Sequence, residues 1–170
     1  MDKQDDNIIR DPKLTKEIRK RHGIDGIERR YITLDAEEMR FNESDNVIEG
    51  YGARFDVWSE NLGFFKEKIA PGAFGKTIGE NDIRSLFNHD NNKILGRTKA
   101  KTLELWEDQK GLMFKTSLPD TTYARDLAIS IKRKDITQNS FGFETVRDTW
   151  NKSNDKRILE EVRLFDVGPV

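Results

Sequence analysis

From about residue 31 onward, apolar residues fall in short runs that alternate with polar ones, the period of half-buried strands. Residues 47–57 (VIEGYGARFDV) are rich in β-formers, and Gly50 and Gly52 mark this strand for a bulge or tight curvature. Pro71-Gly72 reads as a turn leading into a short helix over 73–78. Residues 83–88 predict a strand that ends in the turn His89-Asp90-Asn91-Asn92. Residues 102–106 and 112–118 form a hairpin across Asp108-Gln109-Lys110-Gly111. Helical spacing is clear only for Tyr123, Ala124, Leu127, Ala128 and Ile131, with Asp120 placed to cap. Lys132, Arg133 and Lys134 follow at the end where the helix dipole favours cations. Two closing strands, 138–146 and 157–166, are joined by a polar loop. The pattern predicts a mainly β fold of α+β type, an antiparallel barrel or sandwich carrying one or two helices.

Composition changes this picture mostly at the N-terminus. The chain of 170 residues carries 30 Lys+Arg against 31 Asp+Glu, a net charge of −1. Sixteen of these charges fall in the first thirty residues, which contain no aromatic side chain. A stretch this polar buries too little apolar surface to offset its ordering entropy. Residues 1–29 are therefore expected as a charged, flexible arm, with a short basic helix over 16–21 (KEIRKR), and 30–170 as the folded domain. The balanced charge argues against nucleic acid as a partner. No apolar run approaches a membrane span, and the acidic start MDKQDDN does not read as a signal peptide, so the expectation is a soluble intracellular protein with no membrane partner.

The chain has no cysteine, which excludes disulfides, thiolate catalysis and Cys-based zinc sites. Its only histidines are His22 and His89, too few for a multi-histidine zinc centre without carboxylates. Neither a dinucleotide fingerprint nor a P-loop nor a G-x-S-x-G elbow occurs, so no cofactor and no metal are expected.

His89 is the only histidine in the expected domain, and histidine is the residue type suited to general-base work near neutrality. Strand parity then suggests a nucleophile. In Ser140-Phe141-Gly142-Phe143-Glu144-Thr145-Val146, the two phenylalanines mark the core face and direct Ser140 outward, beside a glycine that leaves room for a substrate backbone. On the last strand, Ile158, Glu160, Val162 and Leu164 form the more apolar set, which turns Glu161 toward the side of Ser140. A carboxylate there would hold the imidazole in one tautomer.

The segments IEGYGARFDVWSE, FFKEKIAPGAF, SLFNHDNNKILGRT, LELWEDQKGLMFKTSLPDT and ITQNSFGF, in this order, resemble the prohead (capsid maturation) serine proteases of tailed bacteriophages. The resemblance runs from about Arg30 to Val170. That family is distantly similar to the herpesvirus assemblins, which implies a small antiparallel β-barrel of assemblin-like type with flanking helices. It implies His89 in FNHD as general base and Ser140 in NSFGF as nucleophile. In EVRLFDVG, Glu161 stands where assemblins place the third triad member, with Glu160 and Asp166 as fallback candidates. The assemblin arginine pair that helps bind the oxyanion is replaced by Pro169-Val170, leaving a backbone amide near Gly142 as a candidate donor. The implied activity is cleavage of the scaffold protein or the capsid protein precursor inside the immature prohead, in the host cytoplasm. Self-cleavage and self-association are implied with it. The alternative is a non-enzymatic internal scaffold built on the same barrel, for which Ser140 and His89 would lie on opposite faces.

Overall fold

The computed structural model describes residues 8–33 and 38–170. Eleven strands and three helices are present among them. One sheet runs in the order β1 (Ile8–Ile9), β10 (Gln138–Asn151), β11 (Lys156–Pro169), β6 (Arg84–Leu86), β7 (Ile94–Arg97). In addition, β2 (Glu28–Thr33) pairs with β10, and β5 (Lys66–Ile69) pairs with β11. The second sheet runs β3 (Met39–Asn42), β4 (Val47–Arg54), β9 (Gly111–Ser117), β8 (Leu103–Glu107). The mainly β expectation is met, and the 102–118 hairpin is the β8–β9 pair. Neither sheet closes into the expected barrel. Nor is the pairing wholly antiparallel, because β11 takes β5 and β6 as parallel neighbours.

The inner faces of both sheets share one core. Ile48, Leu112 and Phe114 from the second sheet meet Phe141, Phe143, Leu159, Val162 and Val167 from the first. Helix α3 (Thr122–Lys132) adds Ala124, Leu127, Ala128 and Ile131, the residues whose spacing predicts it. Its N-cap is Thr121 without a side-chain cap bond, and Asp120 instead pairs with Arg125. Helix α2 (Gly75–Glu80) starts two residues later than expected, where the Glu107 carboxylate accepts from the Phe74 amide, 2.9 Å.

The largest departure concerns the charged N-terminus. Residues 1–7 of the expected arm lie outside the described residues, but 8–29 are folded onto the sheet. Helix α1 (Pro12–Arg21) opens with Asp11 accepting from the Lys13 and Leu14 amides. Its Ile18 packs with Phe65 and Trp150 in a second small apolar cluster. His22 stacks on Trp150, with ring centroids 5.1 Å apart, and its Nε2 lies 2.9 Å from the Asn154 carbonyl. Three of the charges that argue for disorder, Arg19, Glu28 and Arg30, are used in a buried ionic network.

Arg157, fully buried, is the centre of that network. Its guanidinium donates to Asp148 (2.8 Å), Glu28 (2.8 and 3.0 Å), Glu67 (3.2 Å) and Thr145 (2.5 Å). Arg30 reaches Glu67 (2.5 Å) and Glu28 (2.6 Å), and Arg19 of α1 pairs with Asp148. Three guanidinium groups meet three carboxylates, so the buried charge balances while joining α1, β2, β5, β10 and β11. Burial alone would raise the Glu28 pKa, but Arg157, Arg30 and the Thr145 hydroxyl outweigh it and hold the carboxyl below its ordinary range. A depressed carboxylate pKa contributes stability that is present above the ordinary range and lost as pH falls through the folded-state value. Glu28→Gln leaves part of Arg157 uncompensated and is expected to cost about 3–5 kcal/mol at neutral pH. Urea unfolding between about pH 7 and about pH 3 should also show a shallower acid loss for this variant than for the wild type. An unchanged midpoint and slope would contradict this role.

Candidate active site

Ser140 lies near the start of β10, a strand with partners on both sides: Tyr31 of β2 and Gly168 of β11 stand opposite it. Phe141 and Phe143 point into the core and Ser140 away from it, as parity requires. Facing away from the core does not leave it at the surface. Ser140 is 0 % exposed, because the His89 ring lies over it.

His89 reaches this position through an uncommon backbone. Both Asn88 and His89 have positive φ (55° and 54°), and the Asp90 amide donates to the Phe87 carbonyl, 3.1 Å, closing a type I′ turn directly after β6. Asn tolerates this region well; for His the left-handed conformation stores strain of about 1–3 kcal/mol. The turn is fastened to β11 by the Asn88 amide, which donates to the Pro169 carbonyl at 2.9 Å. From there the imidazole Nε2 stands 2.6 Å from Ser140 Oγ, and Nδ1 is hydrogen-bonded to Asp166. A carboxylate beside Nδ1 requires the proton on that nitrogen, which leaves Nε2 as the acceptor facing the serine hydroxyl.

The structure thus brings His89 and Ser140 together, and the carboxylate on the ring is that of Asp166. Glu161 is elsewhere: it stands opposite Arg147, with Lys76 at 3.7 Å and Arg147 at 4.0 Å. Glu160 pairs with Arg147 at 2.5 Å. The physical reason is position along the ladder: Ser140 stands opposite Gly168, and Glu161, seven residues before Gly168, stands opposite Arg147, on the order of 20 Å away at the rise of a strand. Between the pairs Gly142–Asp166 and Phe143–Leu164, Phe165 is skipped, and two further irregularities flank Arg147. The skipped Phe165 reverses the alternation, so strict parity from Val162 and Leu164 would place Asp166 in the core. Asp166 shares the face of Ser140 because it stands directly opposite Gly142.

Gly142 has a use the sequence alone does not reveal. A Cβ there would lie 2.6 Å from Asp166 Oδ2, so the space expected for a substrate backbone is filled by the Asp166 carboxylate. Tyr31, exposed and directly opposite Ser140, presents its ring edge-on to His89 with centroids 6.2 Å apart. No sequence signal marks it, since it falls at the end of the charged segment. Among the described residues, no group of three or more His, Asp and Glu side chains converges as a metal site, and no helix is long and apolar enough to cross a membrane.

The model of the caudovirus prohead serine protease family matches residues 32–170. The chain belongs to that family. Among solved structures it is similar to the capsid assembly protease of bacteriophage T4, gp21, with a TM-score of 0.51 and 14 % identity. The similarity covers 86 % of this chain and 98 % of that one, and at such identity it speaks for the fold alone. No curated protein matches the chain. The family match begins inside β2, so helix α1 and its ionic anchor precede the part of this prohead protease that the family model describes.

In this prohead protease the contact between Gly142 and Asp166 leads to a direct expectation. Gly142→Ala should displace the carboxylate from His89 and reduce peptide cleavage by about 10²-fold or more while the fold is retained. Cleavage rate measured beside the thermal unfolding midpoint checks this; a folded Gly142→Ala with wild-type rate would contradict it.

Proposed function

We propose that the protein is a serine endopeptidase in which Ser140 is the nucleophile, His89 the general base and Asp166 the residue that orients the imidazole. The observation that carries this reading is His89 held between a serine hydroxyl and a carboxylate, one on each ring nitrogen. As Ser140 Oγ attacks a peptide carbonyl carbon, its proton passes to His89 Nε2. When the tetrahedral intermediate collapses, the same proton goes to the leaving amine, and the acyl group remains on Ser140. Water, deprotonated by Nε2, then releases the acid product and regenerates the serine. Through both halves Asp166 keeps Nδ1 protonated and stabilises the imidazolium.

Family membership and the role of the T4 neighbour as a capsid assembly protease support a substrate among the proteins of the immature capsid: the scaffold protein or the capsid protein precursor. Self-cleavage belongs to the same reading. The place of action would be the prohead interior. A purely architectural module would put Ser140 and His89 on opposite faces; here they share one face, 2.6 Å apart.

Co-expression with the cognate capsid precursor, with product masses read out, tests the proposal. Wild type should yield defined fragments and Ser140→Ala none. Asp166→Asn should slow cleavage by about 10²–10⁴-fold, while Glu161→Gln should cleave at the wild-type rate. Cleavage by a folded Ser140→Ala at the wild-type rate would refute serine catalysis, and the reverse ranking of the two acid variants would refute the assignment of Asp166.

A further inference from the structure

Resting on the reading of Ser140, His89 and Asp166 as a triad, we propose that Asn139 and Gly52 are positioning residues, forming a clamp that holds the nucleophile and the carboxylate from behind.

Asn139 is fully buried on the inner face of β10. Its Nδ2 donates to the Tyr51 carbonyl of β4 at 2.8 Å, while its Oδ1 is buried with no hydrogen-bond partner. A core amide with an unanswered acceptor carries a desolvation penalty that an apolar side chain would avoid. Packing alone therefore does not explain an amide here. The bond it does make crosses from one sheet to the other.

The acceptor is free because β4 breaks its ladder at this point. Tyr51 pairs with Met113 and Ala53 with Leu112, and Gly52 between them is skipped. The bulge also brings β4 close to β11: a Cβ on Gly52 would lie 2.5 Å from Val167 Cγ2. Two adjacent residues of one bulge thus touch the two strands that carry Ser140 and Asp166. Asn139 immediately precedes Ser140, and Val167 immediately follows Asp166. Successive strand residues face opposite sides, so contacts on the inner face fix the strands one residue from each reacting group on the outer face. Tyr51 and Gly52 thus brace from behind the stretch of the β10–β11 ladder that spaces Ser140 from Asp166.

Variants Asn139→Leu, Gly52→Ala, Val167→Ala and the double Gly52→Ala/Val167→Ala test the clamp. The readouts are the rate of covalent labelling of Ser140 by a fluorophosphonate, kcat and KM on the capsid precursor, and the unfolding midpoint. Asn139→Leu and Gly52→Ala should label about 10- to 100-fold more slowly than wild type below their unfolding midpoints. The loss should fall on kcat with KM nearly unchanged. In the double variant, removing the Val167 methyls should return the rate to within a few-fold of Val167→Ala alone. A folded Asn139→Leu with wild-type labelling overturns the role of Asn139. A folded Gly52→Ala with wild-type labelling, or a double variant as slow as Gly52→Ala, overturns that of Gly52. If Asn139→Leu does not fold, the Gly52 series decides the matter. Absence of labelling at Ser140 in the wild type overturns the triad reading and the clamp with it.

Discussion

Strands β10 and β11, each of fourteen residues, pair along almost their whole length, and the phase of that pairing decides which side chains meet. At the end near Ser140, the skipped residue Phe165 sets Asp166 opposite Gly142, on the outer face. Without it, Asp166 would follow Val162 and Leu164 into the core. The missing side chain of Gly142 then lets the carboxylate lie flat across the neighbouring strand. His89 is delivered from the other direction by a strained turn fastened to the end of β11. The three groups come from distant segments, and the β10–β11 ladder is the common reference for all of them.

The opposite end of the same ladder has another task. There Asp148, Thr145 and Arg157 join Glu28, Glu67, Arg19 and Arg30 into a balanced buried network. Such a network contributes little net stability compared with an apolar core of equal volume, but losing one member is costly. It therefore fixes where the first strands and α1 attach. The position of β2 matters for the site, since β2 places Tyr31 directly across from Ser140. The two ends of the ladder are thus linked through one short strand.

The amino-acid sequence is informative where one residue type is scarce or one period is clean. With two histidines in the chain, a base could be chosen almost by elimination, and the alternation Phe141-Gly142-Phe143 placed Ser140 on the outer face. The α3 helix and the β8–β9 hairpin follow from equally regular patterns. That Asp166 rather than Glu161 reaches His89 was not legible, because parity gives the face of a residue and not its distance along the ladder, and the bulge that turns Asp166 outward leaves no compositional mark. The N-terminal segment is a failure of a different kind. Charge density argues for disorder only while the charges stay in water, and Arg157, which takes Glu28 into the core, lies about 130 positions further along the chain. The pattern left barrel and sandwich open and the resemblance chose the barrel; the strands form two separate sheets, neither closed on itself.

The central claim is that one imidazole joins Ser140 to Asp166. Proton NMR of protein carrying isotope-labelled histidine tests it most directly, since only His22 and His89 contribute. The account predicts a strongly downfield Nδ1 proton on His89 that disappears in Asp166→Ala and persists in Glu161→Ala, with both variants folded. A downfield proton that survives Asp166→Ala, or that is lost in Glu161→Ala, would contradict it.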